Sequence, residues 1–358
     1  MKKIKIGSKV IGENSPCFII AEAGSNWRYC SDMAKNFRHA LKLIDIAADA
    51  KADAVKFQLY QAKKLYVRDA GSADYIGKKK SIYQIIKEME LPYEWLPRLK
   101  EYCDKKRIIF LCTPFDEESA DRLEKIGIPA YKAASYTITY VPLLRYIAKK
   151  GKPIILSTGA SNIKEIKEAI GCIKNEGNSQ IAIMQCTAKY PAPLETINLK
   201  VIPKLIKEFG IPIGLSDHSR EPLIAPLGAV ALGARIIEKH FTTDNRLNGP
   251  DHSFAILPDE LIEMVDSIRK LEKALGKENK KLQEEEKELH NFARRSIYSI
   301  KEIKKGEKLT IKNIAALRPG KAKKGLEPKF FDAILGKKAK RDIKSGKEIL
   351  KGDVLDKD

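Results

Sequence analysis

Eight short apolar runs, each followed by an amphipathic stretch, occupy the region from Cys17 to Phe241 and leave few folds open to the chain. They are CFIIAEAG from Cys17, AVKFQLY from Ala54, IFLCTPF from Ile109, AYKAAS from Ala130, PIILSTG from Pro153, IAIMQCT from Ile181, PIGLSDH from Pro212 and ARIIEKHF from Ala234. Near-continuous apolar runs belong to strands covered on both faces, and strand–helix alternation belongs to a parallel sheet. Eight such units predict an α/β chain folded as a (β/α)8 TIM barrel rather than an open doubly wound sheet.

Every run ends in polar or charged residues, where a barrel enzyme places its chemistry. In chain order these are Glu22, Lys56 and Gln58, Thr113, Lys132 and Ser135, Ser157, Thr187, Ser216 with Asp217 and His218, and Glu238 with His240. Lys56 and Lys132 supply point charge, while Gln58, Ser135, Ser157 and Ser216 supply directed donors, a combination suited to phosphate and carboxylate oxygens. The chain has no GxxxxGK[ST] and no GxGxxG, which disfavours nucleotides and leaves a small phosphorylated substrate.

His218 and His240 are two of only five histidines, and each stands at a strand end. Two imidazoles, with water and substrate oxygens completing the shell, suit a divalent metal acting as Lewis acid, Mn²⁺ first, then Mg²⁺ or Co²⁺. Two ligands alone do not define a metal site, and a pair of hydrogen-bonded core histidines is the alternative. With the acids Glu22 and Asp251 nearby, the set describes a carbon–carbon condensing enzyme using an enolic phosphate. A Schiff-base aldolase at Lys56 or Lys132 is the competing chemistry.

At 358 residues the chain exceeds one average domain. A barrel over residues 1–275, a helical linker over 276–293 and a small β-rich domain over 294–358 are expected. EIKKGEKLTIKNI from Glu302 resembles DIKSGKEILKGDV from Asp342, so the small domain is expected to be built of two similar halves. Net charge is +20 from 67 basic and 47 acidic residues. Because Lys and Glu interleave, as in KKLQEEEKELH, a solvated surface is preferred to nucleic-acid binding. There is no apolar run of about 18 residues, as a membrane span needs. MKKIKIGSKVIG lacks an apolar signal core, and the six cysteines show no CxxC spacing. A cytoplasmic protein with reduced thiols is the expectation.

The segments IIAEAGSN, VKFQLY, LCTPFD, AYKAAS, ILSTGAS, QCTAKYPAP, GLSDHS, ALGARIIEKHFT and NGPDH occur in this order. Together they resemble the N-acetylneuraminate (sialic acid) synthase family, which includes the legionaminate and pseudaminate synthases. The tail, with AALRPG and ILGKKAKRDI, resembles that family's C-terminal antifreeze-like (SAF, β-clip) domain, so the likeness runs from about Ile4 to Val354. It implies condensation of phosphoenolpyruvate with an open-chain N-acetylated amino sugar, N-acetylmannosamine or a 2,4-diacetamido hexose, giving a nonulosonic acid and phosphate.

Carried over by position, Lys56, Gln58, Thr113, Lys132, Ser135, Ser157 and Ser216 would bind phosphoenolpyruvate, and His218 and His240 the metal. Glu22, Tyr190 and Asp251 would face the sugar. Arg318 would reach the N-acyl group in the partner subunit of a domain-swapped homodimer. The chain departs from the pattern at Asn26-Trp27, where many members carry Asn-His, and at Ala188, where Asn or Ser is common; both positions are expected to flank the sugar. A related synthase acting on a phosphorylated pentose or tetrose, and a non-catalytic polyanion-binding scaffold, are the alternatives.

Overall fold

A computed structural model describes residues 2–72 and 81–355. The chain divides into two compact units, Met1–Gly276 and Lys277–Asp358. The first opens with an antiparallel hairpin, β1 (Ile4–Ile6) and β2 (Lys9–Ile11). Alternation then runs through β3 (Phe18–Gly24), α1 (Met33–Asp49), β4 (Ala54–Leu59), α2 (Ala62–Leu65), α3 (Ile82–Glu88), α4 (Leu96–Lys106), β5 (Ile109–Pro114), α5 (Glu117–Lys125) and β6 (Tyr131–Ala133). It continues with α6 (Val141–Lys149), β7 (Ile154–Ser157), α7 (Ile163–Asn175), β8 (Ile181–Cys186), α8 (Val201–Phe209), β9 (Ile213–Asp217), α9 (Ile224–Ala231), β10 (Ile236–His240) and α10 (Pro258–Leu275).

The eight strands β3 to β10 form one sheet in the order β5-β4-β3-β10-β9-β8-β7-β6, with parallel ladders throughout. β5 and β6 lie side by side and bring the sheet round into a TIM barrel. Helix starts follow local chemistry: Asp116 accepts from the Ser119 backbone N–H at α5, and Asn162 forms a capping box with Glu165 at α7.

The two-residue period of the strands separates two cores. Outward residues such as Ile19, Val55, Phe57, Phe110, Leu156, Ile183 and Ile237 pack against the helices. Inward residues Phe18, Ile20, Ala54, Leu111, Ala130, Ile155, Met184 and Ile236 fill the barrel, together with Ile4, Ile6 and Ile11 of the hairpin. Full burial of each large apolar side chain contributes about 1.5–3 kcal/mol.

Two residues further along the same inward face, the character changes. Ile20 gives way to Glu22, Ala54 to Lys56, Leu111 to Thr113, Ala130 to Lys132, Ile155 to Ser157 and Ile236 to Glu238. The apolar inner cluster thus fills one end of the barrel, and the polar side chains gather at the other. The hairpin was not foreseen, because three-residue strands offer too short a pattern.

The second unit holds α11 (Lys287–Ala293), β11 (Ser296–Ser299), β12 (Ile314–Leu317) and α12 (Phe331–Ile334). Its repeat is structural. Ile303 and Ile343 exchange both backbone hydrogen bonds at 2.8 Å. Gly306 N–H donates to Ala339 C=O and Gly346 N–H to Ser299 C=O, the same bond with the two halves exchanged, donor forty residues forward and acceptor forty back. Both glycines have positive φ, +82° and +78°, as their matched turns require. Ile303, Leu309 and Ile314 meet Ile343, Ile349 and Val354 in one core. No helix among the described residues is long and apolar enough to cross a membrane, and no two of the six cysteines are bonded.

Candidate active site

The polar rim surrounds a cavity of about 270 Å³. All twelve barrel residues expected at the site line it: Glu22, Lys56, Gln58, Thr113, Lys132, Ser135, Ser157, Tyr190, Ser216, His218, His240 and Asp251. Arg318 stands apart from them in sequence and unit, exposed just after β12.

At the floor lie four buried charges. Lys56 Nζ is 2.6 Å from Glu22 Oε2 and 3.7 Å from Glu238 Oε2, and it donates to Thr113 Oγ1 at 3.2 Å. Lys132 Nζ donates to Ser157 Oγ at 2.7 Å and stands 3.5 Å from Glu238 Oε1. The other bonds to the acids are neutral: Gln58 Nε2 donates to Glu22 Oε1 and Ser216 Oγ to Glu238 Oε1. The ammoniums are therefore not open, as an anion pocket read from sequence would suggest, but already face two carboxylates. A buried ammonium without a counter-charge costs several kcal/mol.

The electrostatics follow from that pairing. Burial pushes Glu238 up, but Lys132 and Lys56 outweigh it and hold its carboxyl low. Burial pulls Lys56 down, and Glu22 and Glu238 reverse this to a net rise. At Lys132 burial wins and the ammonium is weakened despite Glu238. Glu238 had been recognised only as a rim residue. The period of IIEKH puts Glu238 and His240 on one inward face; the meeting of Glu238 with two lysines of other strands carries no such signal.

Above this floor the two imidazoles face each other, ring centroids 5.5 Å apart. His218 Nδ1 sits 2.8 Å from the Thr187 carbonyl, an acceptor only, so this nitrogen carries the hydrogen and Nε2 keeps its lone pair. Burial, and then the neighbouring His240, push His218 down to about 3, so the ring is neutral. His240 Nδ1 is buried without a hydrogen-bond partner, 4.0 Å from Asp251 Oδ2. Neutral rings with available nitrogens, one oriented by a carbonyl behind it, fit a divalent ion. Among the described residues no group of three or more His, Cys, Asp or Glu gathers as a metal site, and His218 and His240 are the residues that would hold such an ion. Cys186 Sγ lies 3.7 Å from His218 Nδ1, its thiol pushed up by burial.

Tyr190 stacks on His218 with centroids 4.1 Å apart, and the Tyr190-Pro191 bond is cis. Asp251 is held by Ser25, whose hydroxyl donates to Oδ2 at 2.8 Å. Gly24, at φ +52°, makes room between the acids: a Cβ there would lie 2.9 Å from Asp251 Oδ2 and 3.2 Å from Glu22 Oε1. Leu65, Tyr66, Ile86, Tyr136 and Ala188 add apolar surface to the lining, with the exposed Lys189 beside them, and the buried Phe254 packs on His240. Of these the sequence singles out only Ala188, because the short α2 and α3 and the connecting loops carry too little period to read. Trp27 corrects an expectation. It does not flank the cavity but is 1 % exposed in the outer core, edge-on to Trp95 at 5.3 Å.

Comparison with known proteins agrees with this construction. Residues 43–280 match the NeuB family and residues 294–355 match the SAF domain. The chain belongs to the NeuB family. Among NeuB relatives it is 47% identical to the spore coat polysaccharide biosynthesis protein SpsE of Bacillus subtilis, over 100% of this chain and 99% of that protein. It is 40% identical to the N,N'-diacetyllegionaminic acid synthase of Campylobacter jejuni, over 92% and 98% of the two chains. The crystal structure of N-acetylneuraminic acid (sialic acid) synthetase from Leptospira borgpetersenii, in complex with citrate, is similar at a TM-score of 0.72 and 36% identity, covering 81% of this chain and 95% of that one.

Proposed function

We propose that the chain condenses phosphoenolpyruvate with an open-chain N-acetylated amino sugar, N-acetylmannosamine or a 2,4-diacetamido hexose of the legionaminate or pseudaminate type. The products are a nonulosonic acid and phosphate, and the setting is the cytoplasm. The observation that carries this reading is the meeting of Lys56 and Lys132, with their hydroxyl partners, and the facing His218–His240 pair in one cavity. Family membership supports it.

Lys56, Lys132, Thr113, Ser135, Ser157 and Ser216 hold the phosphate and carboxylate, and Gln58 directs the enol. As the ligand takes over the ammoniums, Glu22 and Glu238 remain tethered to Gln58 and Ser216. Tyr190 and Asp251 orient the sugar hydroxyls, and the apolar part of the lining accepts the methyl groups of acetamido substituents. A divalent ion, Mn²⁺ by preference, held by His218 and His240, supplies Lewis-acid polarisation of the aldehyde oxygen.

Carbon 3 of phosphoenolpyruvate then forms the new bond to the aldehyde carbon. Negative charge passes to the aldehyde oxygen, which takes a proton from solvent water, while positive charge grows at carbon 2 beside the carboxylates of Glu22 and Glu238. Water adds at carbon 2 and Glu22 accepts its proton. The resulting hemiketal phosphate breaks its C–O bond, giving the 2-keto acid and phosphate, whose charge Lys56 and Lys132 stabilise in place. Arg318 reaches the N-acyl group in the partner subunit of a homodimer.

Phosphate release from phosphoenolpyruvate with Mn²⁺ tests the reading. Release is expected with N-acetylated hexosamines and not with arabinose 5-phosphate or erythrose 4-phosphate; release with neither group of sugars would defeat it. Gly24→Ala is expected to lose about 1–2 kcal/mol in urea denaturation for its left-handed backbone. By displacing Asp251 it should raise KM for the sugar more than for phosphoenolpyruvate; an unchanged sugar KM would remove Asp251 from the acceptor subsite.

A further inference from the structure

Between the inward residues of β9 and β10 lie two that point the other way. Lys239 is 1 % exposed and faces Asp217, its register partner on the neighbouring strand. Its Nζ donates to Asp217 Oδ2 at 2.6 Å, to the carbonyls of Ser219 and Glu221 at 2.5 and 2.9 Å, and to Ser219 Oγ at 3.2 Å. Asp217 in turn accepts from the Ser219 backbone N–H and hydroxyl at 2.8 and 3.0 Å. Three donor hydrogens are thus spread over four oxygens, on residues that flank His218 on both sides.

This arrangement compensates for a gap in the ladder. The β9–β10 pairing ends at Lys239 opposite Asp217, so His218 lies one residue beyond the last registered pair. His240 is still held by pairing with Glu22. On the β8 side His218 is tied by Nδ1 to the Thr187 carbonyl and by its own carbonyl to the Ala192 N–H at 3.0 Å; on the β10 side the ties come from Lys239. Lys239, covalently next to His240, takes hold of the segment after β9 at Ser219 and Glu221, and the Arg220 guanidinium anchors it to Glu260 on α10.

We propose that Lys239 is a positioning residue for the metal pair: its ammonium, locked to Asp217 and to the 219–221 backbone, sets the placement of His218 against His240. The proposal rests on the reading of the two histidines as ligands. It assigns a role on the outer face of the sheet, away from every substrate contact. A group hydrogen-bonded to a metal ligand contributes about 10–100-fold in metal affinity, and Lys239, which holds the residues on either side of His218, is expected at the lower end of that range.

Removing Lys239 alone would strand the buried Asp217 carboxylate and endanger the fold. The test is therefore the neutral double variant Lys239→Met/Asp217→Asn, with Ser219→Ala as a milder variant that leaves the ion pair intact. Mn²⁺ alone is titrated into metal-free protein by calorimetry, and the Mn²⁺ dependence of turnover is measured alongside. Wild type is expected to bind, the double variant about ten-fold or more weaker, and Ser219→Ala several-fold weaker. At saturating Mn²⁺ kcat should return close to the wild-type value, which general loosening of the barrel would not allow. Wild-type Mn²⁺ affinity in a folded double variant, or in Ser219→Ala if the double variant does not fold, would overturn the positioning role and leave the metal reading standing. A wild type that takes up no Mn²⁺, or takes it up equally after His240→Ala, would overturn both.

Discussion

Lys132→Met is expected to lower kcat/KM for phosphoenolpyruvate by roughly 10²–10³-fold or more, the range seen when one preorganised donor to developing negative charge is lost. Here the loss extends beyond a donor. Lys132 lies 2.7 Å from Ser157 Oγ and 3.5 Å from Glu238, and its removal leaves Glu238 with Lys56 at 3.7 Å as its remaining cation. An undercompensated carboxylate then faces the incoming phosphate. Adding Glu238→Gln should recover part of the binding lost, a coupling that a double-mutant cycle reads directly. Steady-state phosphate release is the measurement. A variant within two-fold of wild type would show that Lys132 does not meet the phosphate.

His240→Ala is expected to abolish metal-dependent turnover while leaving the thermal unfolding transition nearly in place. Its Nδ1 makes no hydrogen bond and its ring meets His218, Tyr190 and Phe254 edge-on at the wall of an existing cavity, so no buried polar partner is stranded by its loss. His218→Ala should behave alike, with a greater cost in stability, because His218 also holds the Thr187 carbonyl and the Tyr190 ring. A mixture tests the partner role of Arg318 at the same time. His240→Ala chains refolded with Arg318→Ala chains should regain activity, because in the proposed homodimer one of the two pockets would have both residues intact. No recovery would place Arg318 in its own subunit's chemistry or in none, and full activity of His240→Ala with chelator present would rule out the metal.

The barrel was legible because both of its periods are simple. Eight apolar runs mark strands, and a step of two from Ile20 to Glu22, or from Ala54 to Lys56, marks where the interior turns polar. The repeat in the small domain was legible for a similar reason: Ile303, Leu309 and Ile314 recur forty residues on as Ile343, Ile349 and Val354. What escaped depends on three-dimensional neighbours. No spacing announces that Lys56 and Lys132 would meet Glu22 and Glu238, since the energetic need for a counter-charge arises only on burial. The resemblance puts Trp27 at the sugar, where many family members carry His, yet the chain turns there and sends the ring to Trp95. The apolar lining comes from short pieces after four different strands, with Leu65 in the four-residue α2 and Ile86 in the seven-residue α3, elements too short to show a period.

Phosphoenolpyruvate labelled with heavy oxygen in its C–O–P bridge, incubated with Mn²⁺ and an N-acetylated hexosamine, gives the most direct check. Mass measurement should find the label in inorganic phosphate, and an unlabelled product with the mass of the sugar plus pyruvate. Phosphate without such a product, or a product that keeps the label, would contradict a single pocket in which the enol phosphate and the sugar aldehyde join by C–O cleavage.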